Sequence, residues 1–250
     1  MLINPILFQI GPLTIRWYGI LLALAFIIGY FIAVKLAKEK GIDKEPLQEL
    51  LLYIIIGVLV GERIFHVIFY NLNYFISNPI EILYIWRGGI SSHGGIIGGM
   101  IAIALFCKKH KLNFYDIADL IVIPAALGGV FVRIGNFING ELVGRITNVP
   151  WAVEFAGYEG KRHPSQLYEA FKNFVIFLAL FNIRRIKNLP RGLLFWGFIF
   201  LFSLLRFLVE FLKEFQMFYG LTIGQYLSIP FLIVSIIFII KILKEDKLNG

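Results

Sequence analysis

The sequence predicts an all-α, polytopic integral membrane protein: a bundle of about seven transmembrane helices with the N-terminus outside and the C-terminus inside. Three observations point there. Of the 250 residues, 58% are hydrophobic and only 16% are charged, and the mean hydropathy is +0.78, far above what a soluble domain carries. Apolar runs of roughly 20 residues, the length that spans a bilayer, recur along the whole chain. The basic residues fall in short clusters between those runs rather than along one stripe, so the formal charge of +8 reports membrane orientation and not nucleic-acid binding.

The predicted spans run in order. The first, residues 18–36, follows Arg16-Trp17-Tyr18, an interfacial aromatic group, and the second, residues 47–69, carries Glu62-Arg63 near its end. The third, residues 90–107, opens on the glycine-rich stretch GGISSHGGIIGG. Residues 117–138 form the fourth, with Arg133 close to the Asn139-Gly140 stop. The fifth, residues 166–183, begins in HPSQLYE; the sixth, residues 192–212, holds Arg206 and Glu210; the seventh is residues 225–243. Connections at residues 70–89 and 139–165 are long enough to cover or line a site. No internal repeat, linker or composition break divides the chain, so residues 1–250 read as a single transmembrane domain, one helical bundle.

Basic clusters set the orientation. Lys35, Lys38, Lys40 and Lys44 follow the first span, Lys108, Lys109 and Lys111 the third, Arg184, Arg185, Lys187 and Arg191 the fifth, and Lys241, Lys244 and Lys247 close the chain. The opposite side holds Arg16, Arg87, Arg145, Lys161, Arg162 and Lys213. The positive-inside rule then puts the first terminus outside and the last inside. The N-terminus lacks a basic region and a small-residue cleavage site, so no removable signal peptide is expected. Cys107 is the sole cysteine; no internal disulfide is possible, and no zinc-ligand spacing or other metal site is evident.

Given that orientation, the costly polar groups gather on the outer side. Glu62, Arg63, Arg133, Arg206 and Glu210 each cost about 2.5–3.5 kcal/mol if central and unpaired. Five such terms rival the net stability of a domain, about 5–15 kcal/mol. They are therefore paired, interfacial or turned toward a water-filled cavity. Arg133 lies six residues before Asn139, roughly 9 Å below the helix end, a depth suited to a lipid phosphate. Asn136 shares its face. His93 sits among glycines that permit close backbone approach, beside a helix start whose free N–H groups favour an anion.

Each feature has a structural alternative. Arg206 with Glu210 reads equally as a satisfied intramembrane pair, GGxxGG as helix packing, Glu62-Arg63 as a structural ion pair, and Glu169 with Lys172 as a local pair or snorkelling side chains. Convergence on one side weighs toward a site.

The motifs then identify a resemblance. RIGNFINGELVGR at 133–145, RWYG at 16–19, SSHGG at 91–95, RHPSQLYEA at 162–170, RFLVEF at 206–211 and GQYLSIP at 224–230 together resemble the bacterial prolipoprotein diacylglyceryl transferases, in order and over almost the whole chain. The resemblance implies transfer of a diacylglyceryl group from phosphatidylglycerol to the lipobox cysteine of a preprolipoprotein, with a thioether formed and glycerol 1-phosphate released. It implies the bacterial cytoplasmic (inner) membrane, an active site facing the outer leaflet, no cofactor, and phosphatidylglycerol, the lipobox peptide and membrane lipids as partners, with no nucleic acid. His93, Arg206, Glu210 and Tyr18 are the implied catalytic residues. Arg133, Asn136, Asn139, Glu141, Gly144, Gly94 and Gly95 are the implied substrate-binding ones, with Asp119 a further candidate. His93 is either the proton acceptor or a donor to phosphate. One departure stands out: Phe202 occupies a position where the family usually has tyrosine, so that hydroxyl is absent here or moved, with Tyr168 and Tyr226 as candidates.

Two rival classes fit less well. A channel or transporter needs polar residues continuing inward, and residues 120–130 offer none. An intramembrane serine protease needs a base–orienter pattern around Ser91, Ser92 or Ser165, and none is evident.

Overall fold

The computed structural model describes residues 4–11, 13–43, 45–84 and 91–249. Lys44, Arg87 and Ile90, used above to place the basic clusters and the third span, lie outside the described residues. Eight α-helices are described: α1 (Trp17–Glu39), α2 (Glu45–Tyr70), α3 (Leu72–Ser77), α4 (Ser92–His110), α5 (Phe114–Asn139), α6 (Ser165–Ile183), α7 (Leu193–Glu210) and α8 (Ile223–Asn249). Five segments, in α1, α2, α5, α7 and α8, are long and apolar enough to cross a membrane. Their exposed side chains agree with that: Leu52, Ile56, Val60, Ile64 and Ile68 on α2 all face outward, a surface whose natural solvent is lipid. The protein is a polytopic helical membrane protein.

Helices α4 and α6 are 19 residues each. Their apolar character is diluted for visible reasons. α4 opens on Ser-His-Gly-Gly and closes on Lys108, Lys109 and His110, and α6 buries Gln166, Glu169, Lys172 and Asn173.

The expectation of an all-α chain misses three small antiparallel hairpins among the described residues. β1 (Ile6–Ile10) pairs with β2 (Leu13–Arg16), β3 (Val153–Glu154) with β4 (Lys161–Arg162), and β5 (Met217–Phe218) with β6 (Leu221–Thr222). All lie in connections or before α1, where the turn glycines Gly11, Gly157, Gly160 and Gly220 adopt positive φ. Strand pairing there satisfies backbone groups that no helix covers.

The chain groups into two compact units, residues 34–118 and residues 1–33 with 119–250. In the first, α2 and α4 pack at backbone contact. A Cβ built on Gly57 would come within 2.6 Å of Gly98 O, and one on Gly61 within 2.8 Å of Gly98 Cα, so the small residues are what let the helices meet. Arg63 donates to the carbonyls of Ile82 at 2.9 Å and Glu81 at 2.6 Å, and its guanidinium lies 4.9 Å from the Phe75 ring centroid. It thereby ties the segment after α3 to α2.

In the second unit, α6, α7 and α8 pack around buried Ile176, Leu180, Leu194 and Ile199, and Trp196 of α7 stacks on Phe238 of α8 with centroids 4.2 Å apart. Asp119 ties α5 to the start of α7. Its carboxylate, 3% exposed, accepts from the backbone N–H of Gly192 at 2.8 Å and of Phe195 at 2.7 Å. That is the work of an N-cap performed from another helix, because α7 has no capping side chain of its own.

Candidate active site

The RIGNFING stretch builds a short polar ladder at the end of α5. Arg133 Nη1 donates to Asn136 Oδ1 at 3.2 Å, and Asn136 Nδ2 to Glu141 Oε1 at 2.8 Å. Asn139 Nδ2 reaches the same oxygen at 3.2 Å. Gly140, with φ of +67°, turns the chain so that Glu141 N can bond back to Asn136 O at 3.1 Å. Arg133, Asn136, Asn139 and Glu141 thus come together as one chain of donors and acceptors. Tyr18 packs on the same stretch of α5: a Cβ on Gly135 would lie 2.7 Å from its ring, so Gly135 leaves room for an aromatic ring two residues after Arg133, on a different face of the helix.

Gly144 has a different reason to be glycine. A Cβ there would stand 2.6 Å from His163 O and 2.7 Å from Leu212 O, both backbone atoms that cannot rotate away. Its N–H donates to His163 O at 3.0 Å, and its carbonyl accepts from Arg162 Nη1 at 3.2 Å. The residue joins the 139–165 connection to the segment after α7. Gly94 packs on Phe65 and the backbone of Gly61, and a Cβ built on Gly95 would come within 3.0 Å of Glu62 Cγ. His93, 2% exposed, lies beside Phe65 in the same unit; Ser91 N donates to Glu62 O at 3.1 Å.

The densest electrostatic feature was only half legible in the sequence. Glu169 of α6, 1% exposed, accepts from Lys172 Nζ at Oε2 and from Lys213 Nζ at Oε1, each at 2.6 Å. Arg206 Nη1 stands 3.7 Å from Glu169 Oε1, and its Nη2 3.9 Å from Glu210 Oε2. Lys213 also donates to Glu210 Oε2 at 3.2 Å, and Thr222 Oγ1 to Glu210 Oε1 at 3.1 Å. Arg133 lies within electrostatic reach of Glu169, Lys172 and Lys213, which joins the α5 ladder to this cluster. Burial pushes the Lys213 ammonium below its ordinary value, while Glu169 pulls it back up.

Glu169, Lys172 and Lys213 are the participants that sequence reasoning left as bystanders. Their signal was spacing: Glu169 and Lys172 are three apart in a predicted span, and Glu210 and Lys213 are three apart across a helix end, each pair on one face. The two tyrosines considered as stand-ins for the hydroxyl missing at Phe202 are engaged elsewhere. Tyr168 OH accepts from Trp151 Nε1 at 2.7 Å and meets His163 Nδ1 at 3.1 Å, and Tyr226 OH donates to Phe218 O at 3.0 Å. Phe202 instead offers its ring face to Lys172 Nζ, 4.2 Å from the centroid.

Arg206 decides what the arrangement can do. It is 8% exposed, and its buried Nε and Nη1 have no hydrogen-bond partner among the described residues. A guanidinium held by charge at 3.7–3.9 Å, with donors unspent, is arranged to bind an anion. No group of three or more histidine, cysteine, aspartate or glutamate side chains suited to a metal ion occurs among the described residues.

Fold and site together define a class: a polytopic membrane protein with a buried, cation-rich site at the ends of its helices. Comparison with known proteins narrows the class. Residues 5–241 match the family model of prolipoprotein diacylglyceryl transferase. The chain is 41% identical to the phosphatidylglycerol–prolipoprotein diacylglyceryl transferase of Tolumonas auensis over 249 residues, covering 97% of this chain and 96% of that protein. It is 40% identical to the protein of the same name from Geobacter sulfurreducens, covering 94% and 93%, and 43% identical to that from Rickettsia bellii, covering 96% and 95%. The chain belongs to the prolipoprotein diacylglyceryl transferase family.

Proposed function

We propose that this chain is an enzyme that transfers the diacylglyceryl group of phosphatidylglycerol to the lipobox cysteine thiol of a prolipoprotein. The thiolate sulfur forms a bond to the terminal glyceryl carbon, the C–O bond to phosphate breaks, and its electron pair leaves on oxygen as glycerol 1-phosphate. The thiol proton passes to a base. The observation that carries the reading is Arg206: a buried guanidinium with unspent donors, in a cluster with Arg133 within electrostatic reach of its carboxylate. Displacing a phosphate monoester from carbon needs cationic donors where charge collects on the departing oxygens.

Arg133, oriented by Asn136, grips the lipid phosphate; Asn139 and Glu141 fix the ladder that holds Asn136. Arg206, set between Glu169 and Glu210, receives the leaving oxygens. Tyr18, packed on α5 at Gly135, is assigned to catalysis by the RWYG motif, and Gly144 keeps the 139–165 connection against the site. His93 is the candidate proton acceptor, with Gly94 and Gly95 giving it a close backbone setting; that assignment rests on the SSHGG motif. Asp119 supports the site by capping α7. All of this works within a single catalytic membrane domain of seven spans, α4 and α6 included, with the N-terminus outside, the C-terminus inside and the site opening to the outer leaflet of the inner membrane. The alternation of basic clusters supports that orientation. Phosphatidylglycerol and the lipobox peptide are the partners.

The test is transfer itself. The purified protein in phosphatidylglycerol vesicles is given a lipobox peptide and, separately, its Cys→Ser counterpart. A diacylglyceryl mass gain on the cysteine peptide alone, with glycerol phosphate released, is expected; a folded preparation giving neither product overturns the reading.

A further inference from the structure

Four cations and two carboxylates meet in one cluster of the second unit; all are buried except Arg133, which is half-buried and lies within electrostatic reach of Glu169. Arg133, Lys172, Arg206 and Lys213 contribute four positive charges at neutral pH; Glu169 and Glu210 contribute two negative ones. The sum, 4 − 2, is a net charge of +2. An uncompensated charge of that size is costly in a buried place, since a buried ion is tolerated only when paired. Glu141 does not offset it: that carboxylate is exposed and is engaged by Asn136 and Asn139.

Lys172 is the cation with no evident structural need. A lone Glu169–Lys213 pair would already satisfy one carboxylate with one ammonium. Lys172 adds a second ammonium to the same carboxylate, 3% exposed at its side chain, lodged over the Phe202 ring. It spends one bond on Glu169 Oε2, and so keeps that oxygen from turning to Arg206, whose Nε and Nη1 stay unspent.

We propose that Lys172 is a positioning residue that sets the cluster's charge at +2, so that the site selects a total ligand charge of −2. The inference rests on the function proposed above and goes beyond it. Charge is then matched throughout the reaction: a phosphodiester and a cysteine thiolate together carry −2, and the thioether with the released phosphate monoester also carries close to −2. The thiol therefore gives up its proton to the base on entering the site, before the S–C bond forms, because only the thiolate completes the match. Free glycerol 1-phosphate, a dianion, binds better than glycerophosphoglycerol, the monoanionic diester with the same headgroup.

The test is equilibrium binding of these two soluble probes to the purified protein in detergent, followed by calorimetry, with no turnover involved. The wild type is expected to prefer glycerol 1-phosphate by about tenfold. Lys172→Met, with a net charge of +1, loses most of that preference. Lys172→Arg keeps it, and the charge-balanced double variant Glu169→Gln/Lys172→Met, again at +2, recovers it. An equal preference in wild type and Lys172→Met, or a Lys172→Met loss that the double variant fails to recover while both remain folded by circular dichroism, overturns the proposal. Vesicle assays separate the two readings: a wild type that transfers diacylglyceryl but shows no dianion preference refutes the charge match alone, whereas one that transfers nothing refutes the function.

Discussion

Replacing Glu169 by glutamine removes one negative charge and leaves the shape nearly intact, so it isolates what the buried carboxylate holds. Glu169 is 1% exposed and carries two ammonium groups at 2.6 Å. Hydrogen bonds to charged groups contribute about 1.5–3 kcal/mol each, which for two gives roughly 3–6 kcal/mol, and breaking a buried ion pair by removing one partner costs about 3–5 kcal/mol. The two routes agree on a loss near 4 kcal/mol, because Lys172 and Lys213 are left buried against each other and against Arg206. For a chain of this size that is a fall of about 10 °C in the midpoint of thermal unfolding, read by differential scanning fluorimetry in detergent. Adding Lys172→Met to Glu169→Gln removes the stranded ammonium as well and is expected to recover more than half of the loss, a non-additivity that contacting residues show and distant ones do not. A single variant as stable as wild type, or a double variant showing the plain sum of the two losses, refutes the reasoning that Glu169 is the common anchor of these cations.

The other predictions concern what holds the site in place. Gly144→Ala places a methyl 2.6 Å from His163 O and 2.7 Å from Leu212 O; overpacking of this kind costs about 1–3 kcal/mol, and transfer activity is expected to fall at least tenfold while Gly128→Ala, whose nearest neighbour is Ala25 Cβ at 3.9 Å, remains near wild type. Asp119→Ala strips two N–H groups at the start of α7 of their acceptor and is expected to cost about 1–2 kcal/mol in unfolding free energy, with Asp119→Asn, also a good cap, losing less. Glycerol 1-phosphate binding is expected to weaken as pH rises, at values below the ordinary lysine range near 10.4. The sign follows from Lys213: burial lowers its value, so its charge is present at low pH and is lost earlier than that of an exposed lysine. Lys213 is faced by Glu169, Glu210, Arg206, Arg133 and the Phe215 ring, and Lys213→Arg, which stays charged, is expected to move the fall to higher pH in the same titration.

How far the chain could be read in advance depended on which physical signal each part carries. Hydropathy located every long helix, because a bilayer-length apolar run has few other readings; α5 ends at Asn139, where Asn139-Gly140 predicted a stop. The pairing of Arg133 with Asn136 was legible through i, i+3 spacing, whereas the bonds of Asn136 and Asn139 to Glu141 appear only in the structure. The hairpins were not, since two-residue strands in connections are set by turn geometry and leave no periodicity. Glu169, Lys172 and Lys213 escaped because an ion network is defined across three elements: spacing could pair Glu169 with Lys172, but nothing local brings Lys213 to within 2.6 Å of a carboxylate 44 residues earlier. Gly144 entered through the resemblance alone, and its close packing against the backbone atoms of His163 and Leu212 leaves no trace in the sequence. Asp119 was a candidate only through the family resemblance; its buried carboxylate accepts from the N–H groups of Gly192 and Phe195, partners 73 and 76 residues away that no local pattern announces.

The central claim is that the cluster around Arg206 receives the phosphate of the lipid. An experimental structure of the protein in phosphatidylglycerol nanodiscs, with a Cys→Ser lipobox peptide to prevent turnover, tests it most directly. Lipid phosphate oxygens are expected about 3 Å from Arg206 Nε or Nη1, with Arg133 on the same phosphate. A phosphate seated elsewhere, with the Arg206 donors turned to protein carbonyls or carboxylates, would contradict it.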